Sequence, residues 1–243
     1  SLRARFDERT DLPQRIRARK SAALRFHEGR ALLDGLAFAD ALAAFDAVKR
    51  GDPSADSADY YGFLCAYHLK DYDRAEQSAA DFARHSAPGF ADVLRALSTS
   101  QRVQIAAMVR FLGDRAYQQQ RIENSRDLNH VTACLKDSAD AWNNHAFLCR
   151  ETGAFERALT SYQYAIQKEP DSAQLWNDGG VVLHYHLASP ENLVRARQMY
   201  EKALTLAAAV SADATATQQA RAAAAQAAEN ARLNLRALDE KAR

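Results

Sequence analysis

Between Trp142 and Pro170 the chain reads WNNHAFLCRETGAFERALTSYQYAIQKEP: a helical stretch, a tight turn at Gly153, and a second helical stretch stopped by a proline. Trp176 returns 34 residues after Trp142. Nearer the N-terminus Gly29, Ala41 and Pro53 stand twelve and twelve residues apart, the same intervals as Ala146, Ala158 and Pro170. A period of that length marks stacked helix pairs, because one pair cannot bury its apolar face until neighbours close over it. The repeating positions are small where backbones must approach and aromatic where a gap must be filled. The chain is therefore expected to be all-α.

The order large residue, small pair, aromatic, Ala, aromatic, Ala, Pro resembles the tetratricopeptide repeat, and Trp142, Ala146, Gly153, Phe155, Ala158, Tyr162, Ala165 and Pro170 follow it nearly in full. Cys149 stands where that family has an aromatic, a departure that thins the packing. The first unit follows the pattern through Gly29, Leu32, Phe38, Ala41, Phe45 and Pro53, with Val48 where Ala is usual. A second copy keeps Tyr72 and Ala75, each 34 residues after Phe38 and Ala41, and has Ala79 in an aromatic's place. The last unit has Trp176, Gly180, Ala196, Tyr200 and Ala203, but Tyr162 to Tyr200 is 38 residues. Four residues are inserted, best accommodated in the inter-helix turn at 188–192, where Pro190 suits a turn. The resemblance implies a right-handed α-solenoid of antiparallel helix pairs whose first helices line a concave groove.

Between Pro88 and Asp137 the register is lost. Helices are expected at about 90–98, 101–112, 114–124 and 127–136, broken at Ser98–Ser100, Gly113 and Asn124–Asp127. From Thr215 onward Ala224, Ala227, Ala228, Ala231, Leu235 and Leu238 share one helical face. A stack needs such a half-polar terminal helix to close it, and a coiled-coil partner helix is the sharper alternative. The expected organisation is a basic lead-in at 1–20, two repeats at 21–88, degenerate helical repeats at 89–137, two repeats at 138–208, and a capping helix at 212–243.

The formal net charge is +1, which gives no global case for nucleic acid or an anionic membrane. Residues 1–20 alone carry +4, so a nucleic-acid contact through this arm is one reading and a solvated lead-in the other. Cys65, Cys134 and Cys149 lack metal-ligand spacing and read as free thiols, which points to a reducing, cytoplasmic setting. No apolar run is long enough for a membrane span. The Ser1 start leaves a longer parent chain open. No Gly-rich phosphate loop, HExxH or G-x-S-x-G is present, so neither an enzyme nor a cofactor is expected. His184 and His186, two apart on a helix, point to different sides and make a poor zinc pair.

What remains is surface. The resemblance places Asn143, Asn144, Phe147, Arg150 and Glu151 on the groove side of one first helix, and Asn177, Asp178, Val181, His184 and Tyr185 on that of the next. In the first unit the corresponding residues are Phe26, His27 and Arg30, with Asp34 beyond. Asn143–Asn144 followed by Asn177–Asp178 could clamp an extended peptide backbone, since an amide both donates and accepts; purely local hydrogen bonds are the alternative. In the Trp176 unit Lys and Arg are missing from the places where the family clamps a C-terminal carboxylate, and Arg30 and Arg150 are too scattered to replace them. Phe147, Val181 and Tyr185 suit a partner's helix or apolar segment instead. The expected function is a scaffold or adaptor that holds a partner protein's segment in the groove, with the substrate-recruiting region of a larger enzyme, such as a glycosyltransferase, as the rival.

Overall fold

The computed structural model describes residues 12–85 and 93–241. Most of the basic lead-in thus lies outside the described residues. The described chain is helical, with no strand: α1 Leu12–Asp34, α2 Phe38–Gly51, α3 Asp56–His68, α4 Tyr72–His85, α5 Thr99–Gln118, α6 Ile122–Lys136, α7 Ala139–Glu151, α8 Phe155–Lys168, α9 Ala173–Val181, α10 Pro190–Ala212 and α11 Gln218–Lys241. Two compact units, Ser1–Val131 and Thr132–Arg243, divide it within α6.

The helix pairs owe their shape to one repeated turn. Leu36, Lys70, Gln120 and Gly153 all adopt left-handed backbone, with φ of 60°, 62°, 61° and 74°. At each, the left-handed residue's N–H reaches the carbonyl three residues back, and the next N–H reaches five back. Gln120 N to Tyr117 O is 3.0 Å and Arg121 N to Ala116 O is 2.9 Å; Gly153 N to Arg150 O is 3.1 Å and Ala154 N to Cys149 O is 2.8 Å. This double closure satisfies the orphan carbonyls of the first helix and reverses the chain. Three of the four sites lack glycine, so the turn is imposed by the packing of the pair rather than by local preference.

The turn at Gln120 corrects the sequence reading of the middle segment. Residues 93–96 are helical, within the helix expected at 90–98, but in place of the three short helices expected after it α5 runs unbroken through Gly113 and α6 unbroken through Asn124–Asp127. Gly113 is a packing position: an added Cβ would stand 3.2 Å from Asn129 Nδ2. Ser125, buried, occupies the place in α6 that Ala41, Ala75 and Ala158 occupy in α2, α4 and α8. The polar residues that read as breakers are held by partners distant in sequence. Glu76, 1% exposed, receives Arg121 Nε at 2.7 Å and Nη2 at 2.5 Å, with Asn124 Nδ2 at 2.9 Å. Arg84 Nε donates to the buried Asp127 at 2.7 Å. A helix pair with its own charged core contacts thus occupies 99–136.

Large and small residues alternate across the pairs. An added Cβ on Gly29 would lie 2.9 Å from Phe45 Cε1, and one on Gly180 2.7 Å from Tyr200 Cε1. In the second pair the sizes are exchanged. Phe63 stands where the first has Gly29 and Ala79 where it has Phe45, both buried. The swap keeps the volume and hides the pattern.

The inserted residues of the last pair lie where expected, with a different geometry. After α9 the chain makes a π-helical turn, Val182–His186, closed by Leu187 N to Val182 O at 3.0 Å. Ser189 then caps α10, its Oγ accepting from Asn192 N at 3.2 Å, with Pro190 in the first turn. The π turn replaces the left-handed reversal used in the other pairs, a common way to absorb extra residues near a functional surface.

Candidate functional site

In the second unit α7 begins at Ser138, whose Oγ accepts from Ala141 N at 3.3 Å, with Asp140 in the first turn and Arg150 in the last, both matched to the helix dipole. One face is buried through Ala141, Trp142, His145, Ala146, Leu148 and Cys149. The other carries Asn143, Asn144, Phe147, Arg150 and Glu151. Phe147 is 36% exposed and Asn144 and Glu151 are open. The Arg150 guanidinium lies 5.4 Å from the Phe147 ring centroid and 3.8 Å from Glu151. α9 packs into the same apolar core through Leu175, and the following turn through Val182.

α9 and its π turn divide the expected residues. Asp178 and Val181 are half-buried, and Tyr185 is 44% exposed. Asn177 and His184 are not on the surface: they are 3% and 0% exposed. His184 turns inward because the π turn rotates it onto Tyr200, whose hydroxyl stands 3.4 Å from its Nδ1. His186 leaves on the other side and stacks on Phe155 at 4.1 Å and 13°. Burial, and then Arg150, holds its imidazole below the usual histidine range. Among the described residues no group of three or more His, Cys, Asp or Glu could hold a metal ion.

The side chain of Asn177 belongs to a chain of hydrogen bonds that the sequence reading missed. Tyr185 OH donates to Asn234 Oδ1 at 3.2 Å, Asn234 Nδ2 donates to Asn177 Oδ1 at 3.0 Å, and Asn177 Nδ2 donates to Asp178 Oδ1 at 3.1 Å. Every step points its donor towards the carboxylate, so the links polarise one another. Burial raises the Asp178 pKa above its ordinary value, while the Asn177 amide and Arg150 work the other way. The terminal helix α11 is thereby tied to α9. The only sequence signal for this was an asparagine within the alanine-rich stripe of α11.

Behind the surface, His145, Ser161 and Cys149 form a second linked set, all buried. Ser161 Oγ donates to Arg157 O at 2.8 Å, so it accepts from His145 Nδ1, also at 2.8 Å. That leaves Nε2 to accept from the Cys149 thiol at 3.2 Å. The thiol that reads as a packing defect is a hydrogen-bond donor in the core. Its enclosure makes the set structural, despite the residue types.

In the first unit Phe26 is half-buried, its ring edge-on to Phe45 at 5.8 Å and to Tyr61 at 5.5 Å. Arg30 Nη1 donates to Tyr61 OH at 2.6 Å. These two residues serve the α1–α3 packing as much as any surface, while His27 and Asp34 are exposed.

No family model matches the chain, and no curated protein matches it in sequence. Similar solved structures include YrrB, a TPR protein with an unusual peptide-binding site, at 16% identity over 84% of this chain and 90% of that one, with a TM-score of 0.38. Another is the TPR2AB domain of yeast Sti1 with pHSP90, at 12% identity over 87% and 98%, TM-score 0.41. A third is MamA from Desulfovibrio magneticus RS-1, at 13% over 78% and 96%, TM-score 0.38. Values this low leave the assignment to the chain's own geometry, and the four left-handed turns, with the small-against-large contacts at Gly29–Phe45 and Gly180–Tyr200, supply it. The fold is that of the tetratricopeptide repeat. No described helix of this tetratricopeptide-type chain is long and apolar enough to cross a membrane.

Proposed function

We propose that the protein is an interaction scaffold whose second unit holds a segment of a partner protein along the open side of α7 and α9. One observation carries this reading. Phe147, Arg150, Val181 and Tyr185 stay open or half-open on consecutive first helices, while the large residues behind them are buried. Aromatic residues and arginine are the types that anchor interfaces, since they bring large area at small entropic cost. Arg150, beside the Phe147 ring and the Glu151 carboxylate, gives the surface a polar key beside its apolar contacts.

The test compares partner capture by the wild-type chain, a Phe147→Ser/Arg150→Glu variant, and a Tyr164→Ala control on α8, where Tyr164 is 43% exposed. All three must show the same helicity. The scaffold reading expects a partner retained by wild type and control and lost by the double variant. Equal retention by all three refutes the placement.

A further inference from the structure

The corner between α10 and α11 is built unlike the helix reversals before it. Those at Leu36, Lys70, Gln120 and Gly153 turn on a left-handed residue, and residues 213–217 hold none. No glycine or proline follows Pro190. Asp213 is extended, with φ −72° and ψ 113°, and opens a β-turn in which Ala216 N donates to Asp213 O at 3.2 Å. Exposed side chains hold the rest. Asp213 Oδ1 accepts from Thr215 N at 2.8 Å and from Thr215 Oγ1 at 2.7 Å, and Thr217 Oγ1 accepts from Ala220 N at 3.1 Å. Alanine, the best helix former, stands at 212, 214 and 216. Once Asp213 turns helical, no backbone feature keeps α10 and α11 from joining into one helix from Pro190 to Lys241.

Straightening strips α11 from its seat, and that seat is specific. Ala224, Ala227, Ala228, Ala231 and Leu238 share one buried core with Tyr200, Ala203 and Ala207. Asn234 bonds the buried Asn177 and the Tyr185 hydroxyl, and Arg197 pairs with Asp239. An empty seat would leave this apolar surface open to water. A second copy, straightened in the same way, carries the helix that fits it. Each α11 can fill the other's seat through the same contacts, so the two forms differ only at the corner. Such an exchange is symmetric and closes at two copies.

We propose that α11 exchanges between two copies of this chain, with Asp213–Thr217 as the hinge, to give a domain-swapped dimer in which each α9 receives Asn234 from the other copy. This goes beyond the scaffold reading. The dimer carries two α7–α9 surfaces in one particle, so a partner that repeats its segment is held at both.

The test sizes the full chain by light scattering after refolding from urea over a range of concentrations. Wild type should pass from monomer to dimer as the concentration rises. Asp213→Ala removes the turn's carboxylate and should raise the association constant at least about tenfold. Ala214→Pro suits the closed corner, since proline is favoured at the second position of a β-turn and its predecessor is already extended. It also forbids the straight helix, so it should hold the chain as a monomer. Pairing identifies the contact. Chains carrying Arg197→Glu and chains carrying Asp239→Lys each place like charges together alone and opposite charges when exchanged. Native mass spectrometry of their mixture should show mixed dimers well above the random share. A chain that stays monomeric up to its solubility limit, a dimer fraction that ignores both hinge variants, or random pairing each overturn the proposal. None of these results touches partner capture through Phe147 and Arg150, which tests the scaffold reading separately.

Discussion

Two adjacent glycines in α9 should respond to alanine with opposite signs. A Cβ on Gly180 would sit 2.7 Å from Tyr200 Cε1, 2.9 Å from Cδ1 and 3.2 Å from Cζ. Carbon atoms prefer about 3.5–4.0 Å, so the ring or the helix must move by most of an ångström. Tyr200 is fully buried and has His184 beside its hydroxyl, so it has nowhere to go. Overpacking costs about 1–3 kcal/mol, here the upper part of that range, about 2–3 kcal/mol, because the ring is enclosed, and the better helix propensity of Ala returns about 1 kcal/mol. Gly180→Ala should therefore destabilise by about 1–2 kcal/mol. A Cβ on Gly179 meets the Met199 Cε at 2.5 Å, but that atom is the tip of a flexible side chain, and the next contact is an ordinary 3.7 Å. Met199 can rotate away, so Gly179→Ala should stabilise by about 0.5–1 kcal/mol. Urea denaturation followed by circular dichroism measures both. A Gly180→Ala variant as stable as wild type would refute the claim that a close first-to-second-helix approach fixes this repeat.

Three other outcomes follow from the same structure. Replacing Lys70 or Gln120 by Gly should stabilise the first unit by about 0.5–1 kcal/mol each, since both are held in left-handed backbone, and the urea midpoint reports it. Glu76→Ala should destabilise that unit by about 1–3 kcal/mol, because Arg121 and Asn124 lose their hydrogen bonds to a buried carboxylate; the denaturation midpoint checks this. Asp178 has a raised pKa in the folded state, so its favourable contribution is complete below the ordinary carboxylate value of about 3.9 and is lost as pH rises through the raised value. Asp178→Asn should accordingly raise the thermal midpoint near pH 7 and leave it unchanged near pH 3, as scanning calorimetry would show.

The repeat frame was legible because Ala41, Ala75, Ala158, Pro53 and Pro170 keep their intervals whatever surrounds them. The pair at 99–136 was not, for two physical reasons. Ser125 replaces the marker alanine, and the partners of Asn124 and Asp127 are Glu76 and Arg84, some forty or more residues away in sequence. Phe63 and Ala79 show the same blindness in milder form, since a volume-conserving exchange erases a residue pattern while keeping the packing. At the candidate site, the resemblance to the repeat family offered Phe147, Arg150 and Val181 as surface positions of their helices. It could not foresee the π turn that buries His184, nor the α11 asparagine that claims Asn177. Both depend on tertiary contacts with no local signature.

The central claim is that α7 and α9 present the surface a partner occupies. A photo-crosslinking amino acid at position 147, compared with one at position 164, tests it most directly, with the crosslinked partner segment sequenced by mass spectrometry. A defined segment of one partner should be joined at 147 and none at 164. Crosslinks that form at 164 and not at 147 would contradict it.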